Sequence, residues 1–262
     1  MWRKFFINMA LIIAVPLLFA VCDPAGDEPE QLTLTVTGSN TGIKDCVNDL
    51  GWHVAVNRFE VSFQNLEFTI EGDTHAGLLK RISDVVVPVA QAHPGHLAGG
   101  EVTGELPGSF VVDFASPHPT VLGAGTFLEG QYNGMNLYFT TAIKGADGST
   151  ADPVVGHTAY IEGVAQKDTT RIPFHITLDI EDNLQMIGGV MDLTVTADTV
   201  TAPDIALQTI DPFENDTLFD GVDFGAVPTD TSGTAVITPG QDAHNYMMKD
   251  LISHDQWMVI TN

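Results

Sequence analysis

The chain has 262 residues, 44% of them hydrophobic, which is ample material for a folded core and excludes a wholly disordered polypeptide. Ten Lys and Arg stand against 34 Asp and Glu, a formal net charge of −24. So acidic a body repels nucleic acid and anionic lipid surfaces, and suits a solvated protein outside the cytosol.

The chain opens as an export signal. Arg3 and Lys4 form a positive start, and residues 5 to 21 are apolar apart from Asn8, with Pro16 interrupting them. That stretch is at the lower limit for a spanning helix, and Asp23, Asp27, Glu28 and Glu30 follow it in place of stop-transfer cations. The segment Leu18-Phe19-Ala20-Val21-Cys22 resembles the lipobox of bacterial lipoproteins. The resemblance implies cleavage before Cys22, diacylglycerol on its thiol, and attachment of the mature chain to a membrane of the bacterial cell envelope. It also implies that Asp23, next to the modified cysteine, favours inner-membrane retention. Pro24, Gly26 and the acidic residues up to Gln31 then read as a flexible tether. The expected organisation is signal peptide 1 to 21, tether 22 to 31 and a body from 32 to 262, with 203 to 262 as an appended lobe.

The only other cysteine is Cys46, so a lipidated Cys22 leaves it no intrachain partner. A buried small hydrophobe is the plain expectation for it, against a metal thiolate or an intermolecular disulfide.

In the body, Leu32, Leu34 and Val36 alternate with threonines, the period-two pattern of a half-buried strand. Trp52, Val54 and Val56 share one parity, Phe59, Val61 and Phe63 the other, and Leu66, Phe68 and Ile70 change it again. These two changes predict a turn or bulge near Asn57-Arg58 and another near Gln64-Asn65. Further strands are expected over 101 to 105, 109 to 114, 126 to 132, 136 to 143, 158 to 165, 171 to 180 and 184 to 196. The Asn133-Gly134 pair reads as a hairpin turn, Gly145 to Gly148 as another connection, and Gly188-Gly189 as a bend. Residues 241 to 252 carry helical spacing after Pro239-Gly240, and 256 to 261 return as a strand. The pattern predicts an all-β fold, an antiparallel β-sandwich of Ig-like or jelly-roll-like type with one short C-terminal helix.

The most pointed chemistry is His93-Pro94-Gly95-His96, where a Pro-Gly turn can bring two imidazoles together as half of a zinc, copper or nickel site. Completing a tight site needs further ligands, and His118, His75, Glu101 and Glu105 are nearest in sequence. Asp211, Glu214, Asp216, Asp220 and Asp223 offer oxygen ligands for calcium but lack EF-hand order, and read as a solvated acidic connection. No nucleophile elbow, His-Glu-x-x-His, Walker loop or dinucleotide fingerprint occurs, so a non-enzymatic role is expected. The sequence thus predicts a lipid-anchored extracytoplasmic binding protein, periplasmic or facing the cell surface, that captures zinc or copper through His93 and His96. It would act alone or with another envelope protein. The competing expectation is a metal-free protein- or glycan-interaction module.

Overall fold

A computed structural model describes residues 31–70, 100–199 and 201–261. Cys22, His75, His93 and His96 lie outside the described residues, as do the signal and nearly all of the tether. Twelve strands form one mixed sheet: β1 (Gln31–Ser39), β2 (Cys46–Val47), β3 (His53–Ile70), β4 (Glu101–Asp113), β5 (Thr120–Leu128), β6 (Gly130–Phe139), β7 (Ala159–Lys167), β8 (Thr170–Leu178), β9 (Gln185–Val195), β10 (Pro203–Leu207), β11 (Ala235–Ile237) and β12 (Trp257–Thr261). Helix α1 (Asp242–Leu251) and a single 3-10 turn (His254–Gln256) precede β12.

The sheet is organised by β3, which is 18 residues long. Its second half pairs with β4 on one edge, Phe63 opposite Phe110, and with β6 on the other, Phe63 opposite Phe139. From β4 the pairing continues through β5, β1, β10, β12 and β9 back to β6, so eight strands close into a barrel. The first half of β3 pairs with β7, which carries β8 and then β11 outward as a wing, and with the short β2.

Both parity changes in β3 are bulges within one continuous strand. Val56 faces Gly163 and Arg58 faces Glu162, leaving Asn57 as the extra residue. Gln64 faces Ser109 and Leu66 faces Leu106, with Asn65 at φ 50°. An extra residue returns each apolar run to the core, so Phe59, Val61, Phe63, Leu66 and Phe68 are all buried.

The expected antiparallel sandwich of two sheets gives way to this single sheet, in which β1–β10, β8–β11 and β9–β12 run parallel. Asn133-Gly134 does not turn the chain. Both residues lie inside β6, where a Cβ at Gly134 would stand 2.6 Å from Thr69 Oγ1. Close approach between strands, not turn geometry, explains that glycine. The reversal comes instead between β5 and β6, where the Tyr132 hydroxyl accepts from the Leu128 amide and donates to the Thr103 carbonyl, each at 3.0 Å. The predicted strand over 126 to 132 straddles this reversal, and the two strands predicted over 101 to 114 are one. Residues 203 to 261 do not form a separate lobe, since β10 and β12 stand between β1 and β9 in the barrel and β11 pairs with β8 on the wing.

Aromatic side chains fill the interior. Trp257 packs edge-on against Phe63, Phe114 and Phe139 at centroid distances of 6.2, 5.6 and 6.2 Å, and its indole N–H donates to the Leu251 carbonyl at 2.9 Å. Phe68, Phe127 and Tyr132 form a neighbouring stack, and Trp52, Phe174, Phe219 and Phe224 continue the same core under the wing. The parallel β1–β10 pair is tied by Asp204, buried, which accepts from Thr37 and Ser39.

The register also sorts the two barrel ends. Gln31, Ile70 and Glu101 lie together at one end, because Gln31 faces Leu128 and Ile70 faces Glu101. The wing, α1 and the 208–234 connection belong to the other. Trp257→Ala removes three ring contacts and a satisfied donor from the barrel interior, and is expected to lower unfolding free energy by about 4 kcal/mol in urea titration.

Candidate functional site

Among the sequence-predicted ligands, His118 is exposed in the β4–β5 turn, where its amide meets Ser116 Oγ at 3.3 Å. That turn follows the end of β4 opposite to Glu101, roughly 40 Å away at the rise of a strand. Glu101 and Glu105 are exposed on β4 near its other end. The structure therefore does not bring His118 together with either glutamate.

Three side chains with metal-ligand chemistry do converge among the described residues. Ligand atoms of Asp211, Glu214 and Asp216 lie within 4.8 Å of one another. The loop that carries them is pinched by the Ile210–Thr217 bridge, and the Asp216 carbonyl accepts from the Asp211 amide at 2.9 Å. Asp211 is buried and accepts from the Phe213 amide at 2.6 Å. Burial, followed by the charges of Asp211 and Glu214, pushes the Asp216 carboxyl above its ordinary range. The same crowding reaches α1, where burial and then Asp216 and Asp220 raise Asp250 to about 6 against the opposing charge of Lys249. The sequence showed these acids but not their convergence, which depends on the Ile210–Thr217 pinch.

Cys46 is a buried thiol next to this loop. Burial pushes its pKa up to about 12, with Asp220 and Asp45 adding to the shift and a hydrogen bond with Thr217 opposing it. It is a packed hydrophobe, not a thiolate at neutral pH.

An enclosed ionic cluster lies on the wing. Arg58 bridges Glu60, at 2.8 Å, and Asp152, whose side chains are 2% and 5% exposed, while its guanidinium stands 5.4 Å from the Tyr160 ring centroid. The Ala146 amide donates to Glu60 at 3.0 Å. Burial and a hydrogen bond shared with Asp152 raise the Glu60 carboxyl. Burial works against ionised Asp152, but the Val154 amide, Glu60 and Arg58 together hold its carboxyl low. The two carboxyls are thus pushed in opposite directions, Glu60 up and Asp152 down. With both carboxyls enclosed, the cluster ties the 140–157 connection to β3 and offers no room for a substrate.

His244 falls within the segment predicted as helical over 241 to 252. It is buried on α1, and neither ring nitrogen has a hydrogen-bond partner. An enclosed imidazole of this kind costs about 1–3 kcal/mol relative to one that is paired.

No protein-family model, curated protein or solved structure matches the chain. No helix among the described residues is long and apolar enough to cross a membrane.

Asp250 has a direct consequence for stability. The folded chain keeps it protonated up to about pH 6, whereas an unfolded chain releases that proton near pH 4. Its contribution is complete below about pH 4 and is lost as pH rises through 6. Asp250→Asn should flatten that fall and stabilise the chain at pH 7 by on the order of 1 kcal/mol after solvent screening, measured by urea unfolding between pH 4 and 8.

Proposed function

We propose that this chain is a lipid-anchored extracytoplasmic binding protein that captures zinc or copper through His93 and His96. The observation that carries the reading is the His93-Pro94-Gly95-His96 motif, two borderline nitrogen ligands spaced by a turn-forming pair. His75 belongs to the same connection and is the next imidazole available to it.

Two features of the fold support placing capture in this connection. The barrel interior is occupied by Trp257, Tyr132 and the buried phenylalanines, which leaves binding to the surface and the connections. The connection also leaves from Ile70 and returns at Glu101, a paired position, at the barrel end where β1 begins. A lipid on Cys22 would be separated from Gln31 by nine residues, a reach of at most about 30 Å, so captured metal would be held close to the membrane.

The full chain, extracted from membranes in detergent, should contain about one equivalent of zinc or copper by elemental analysis, and should rebind it at micromolar concentration after chelation. Replacing both His93 and His96 by Ala should abolish this. No retained or rebound metal, or unchanged binding in the double variant, contradicts the assignment. Intact-mass analysis of the same material should show diacylglycerol on Cys22, and an unmodified full-length chain would contradict the anchor.

A further inference from the structure

A cleft of about 330 Å³ opens on the wing, among β2, β3, β7 and β8. Its polar lining comes from successive strands in one row: His53 on β3 faces Gln166 on β7, which faces Arg171 on β8. One row further, Ala55 faces Val164 and supplies an apolar floor. The Asn57 bulge adds an amide above that floor, and Asp45 closes the side opposite to Arg171.

Three features separate this row from an ordinary wet sheet face. The first is concavity, with an apolar floor under polar walls, the arrangement of small-molecule sites. The second is that, among the described residues, the side chains of His53, Asn57, Gln166 and Arg171 have no hydrogen-bond or ion-pair partner, which leaves them available to a ligand in the cleft. The third is the free guanidinium itself. Acids outnumber bases 34 to 10 in this chain, and Arg58 is engaged by two carboxylates, yet Arg171 has no carboxylate partner among the described residues. The strand spacing that holds the row is also constrained, since a Cβ at Gly163 would stand 2.7 Å from the Phe174 ring.

We propose that this cleft binds a small hydroxylated organic acid with a single carboxylate, of which a uronic acid is the model. Arg171 takes the carboxylate through its planar fork of donors. Gln166, Asn57 and His53 donate to or accept from hydroxyls, and the C–H face of the ligand lies on Ala55 and Val164. Asp45 accepts a hydroxyl proton at the far end and repels a second carboxylate there, so dicarboxylates and tricarboxylates are disfavoured. The site needs no metal and is independent of His93 and His96.

Equilibrium dialysis of the full chain in detergent, with EDTA present, tests the assignment. Labelled glucuronate represents a sugar-ring source and labelled gluconate an open-chain source, with glucose and citrate as the neutral and polyanionic comparisons. Glucuronate, gluconate or both should bind saturably with at least tenfold preference over glucose and citrate, and the preferred acid identifies the source. Arg171→Gln should weaken that binding at least tenfold, and Gln166→Ala by a smaller factor. Arg171 is exposed and unpaired, so the melting temperature of Arg171→Gln should match that of the parent chain. Absence of saturable binding by both acids up to about 20 mM, binding of glucose as tight as that of the acids, or binding unchanged in a folded Arg171→Gln would each overturn the proposal. Because chelator is present throughout, failure here leaves the metal reading untouched, and loss of metal binding in the histidine variants leaves this one untouched.

Discussion

Everything in this molecule depends on one strand serving two sheet edges. The segment from Phe63 to Ile70 spends its backbone hydrogen bonds on β4 at one side and β6 at the other, and so forces the sheet to close. Closure removes the open edges that would otherwise expose unpaired N–H and C=O groups. Beyond the Asn57 bulge the same strand changes partners to β7, so the wing shares the barrel's main core, with a small cluster of Ala142, Val154 and Tyr160 beside it. The bulge has two effects at once: it restores Phe59 and Val61 to the interior, and it leaves Asn57 exposed at the wing cleft.

Polar chemistry is displaced outward by this plan. The barrel axis is crowded with aromatic rings, and on the wing the enclosed carboxyls of Glu60 and Asp152 are paired with Arg58. Such a pairing offsets desolvation only when every lone pair is used, and here the Ala146 and Val154 amides complete it. The acids around Asp211 and Asp250 are less well compensated, and the raised carboxyls of Asp216 and Asp250 record burial first and then mutual repulsion.

Much of this architecture was legible in the amino-acid pattern. The two parity changes in residues 52 to 70 predicted a turn or bulge near Asn57-Arg58 and another near Gln64-Asn65, and both are bulges in β3, because a side-chain period of two needs an extra residue to keep each run inward. The alternation in β8 and the helical spacing before Leu251 were equally clear. Closure was not legible. It requires Phe68 to meet Met135, a pairing between segments whose local patterns are alike whether the sheet is open or closed. Gly134 misled for a related reason, since an Asn-Gly pair has the same sequence whether it turns a chain or makes room for Thr69. The wing cleft was invisible because His53, Gln166 and Arg171 are distant in sequence and unremarkable singly; only register places them in a row.

Hydrogen exchange across β6 tests closure most directly, because an edge strand leaves alternate amides open to solvent whereas an interior strand protects them all. With β3 on one side and β9 on the other, nearly every amide from Gln131 to Phe139 should exchange slowly, as should those from Phe63 to Phe68. Rapid exchange of about half the β6 amides, alternating along the strand, would mean that β3 and β6 are not joined and that the barrel is open.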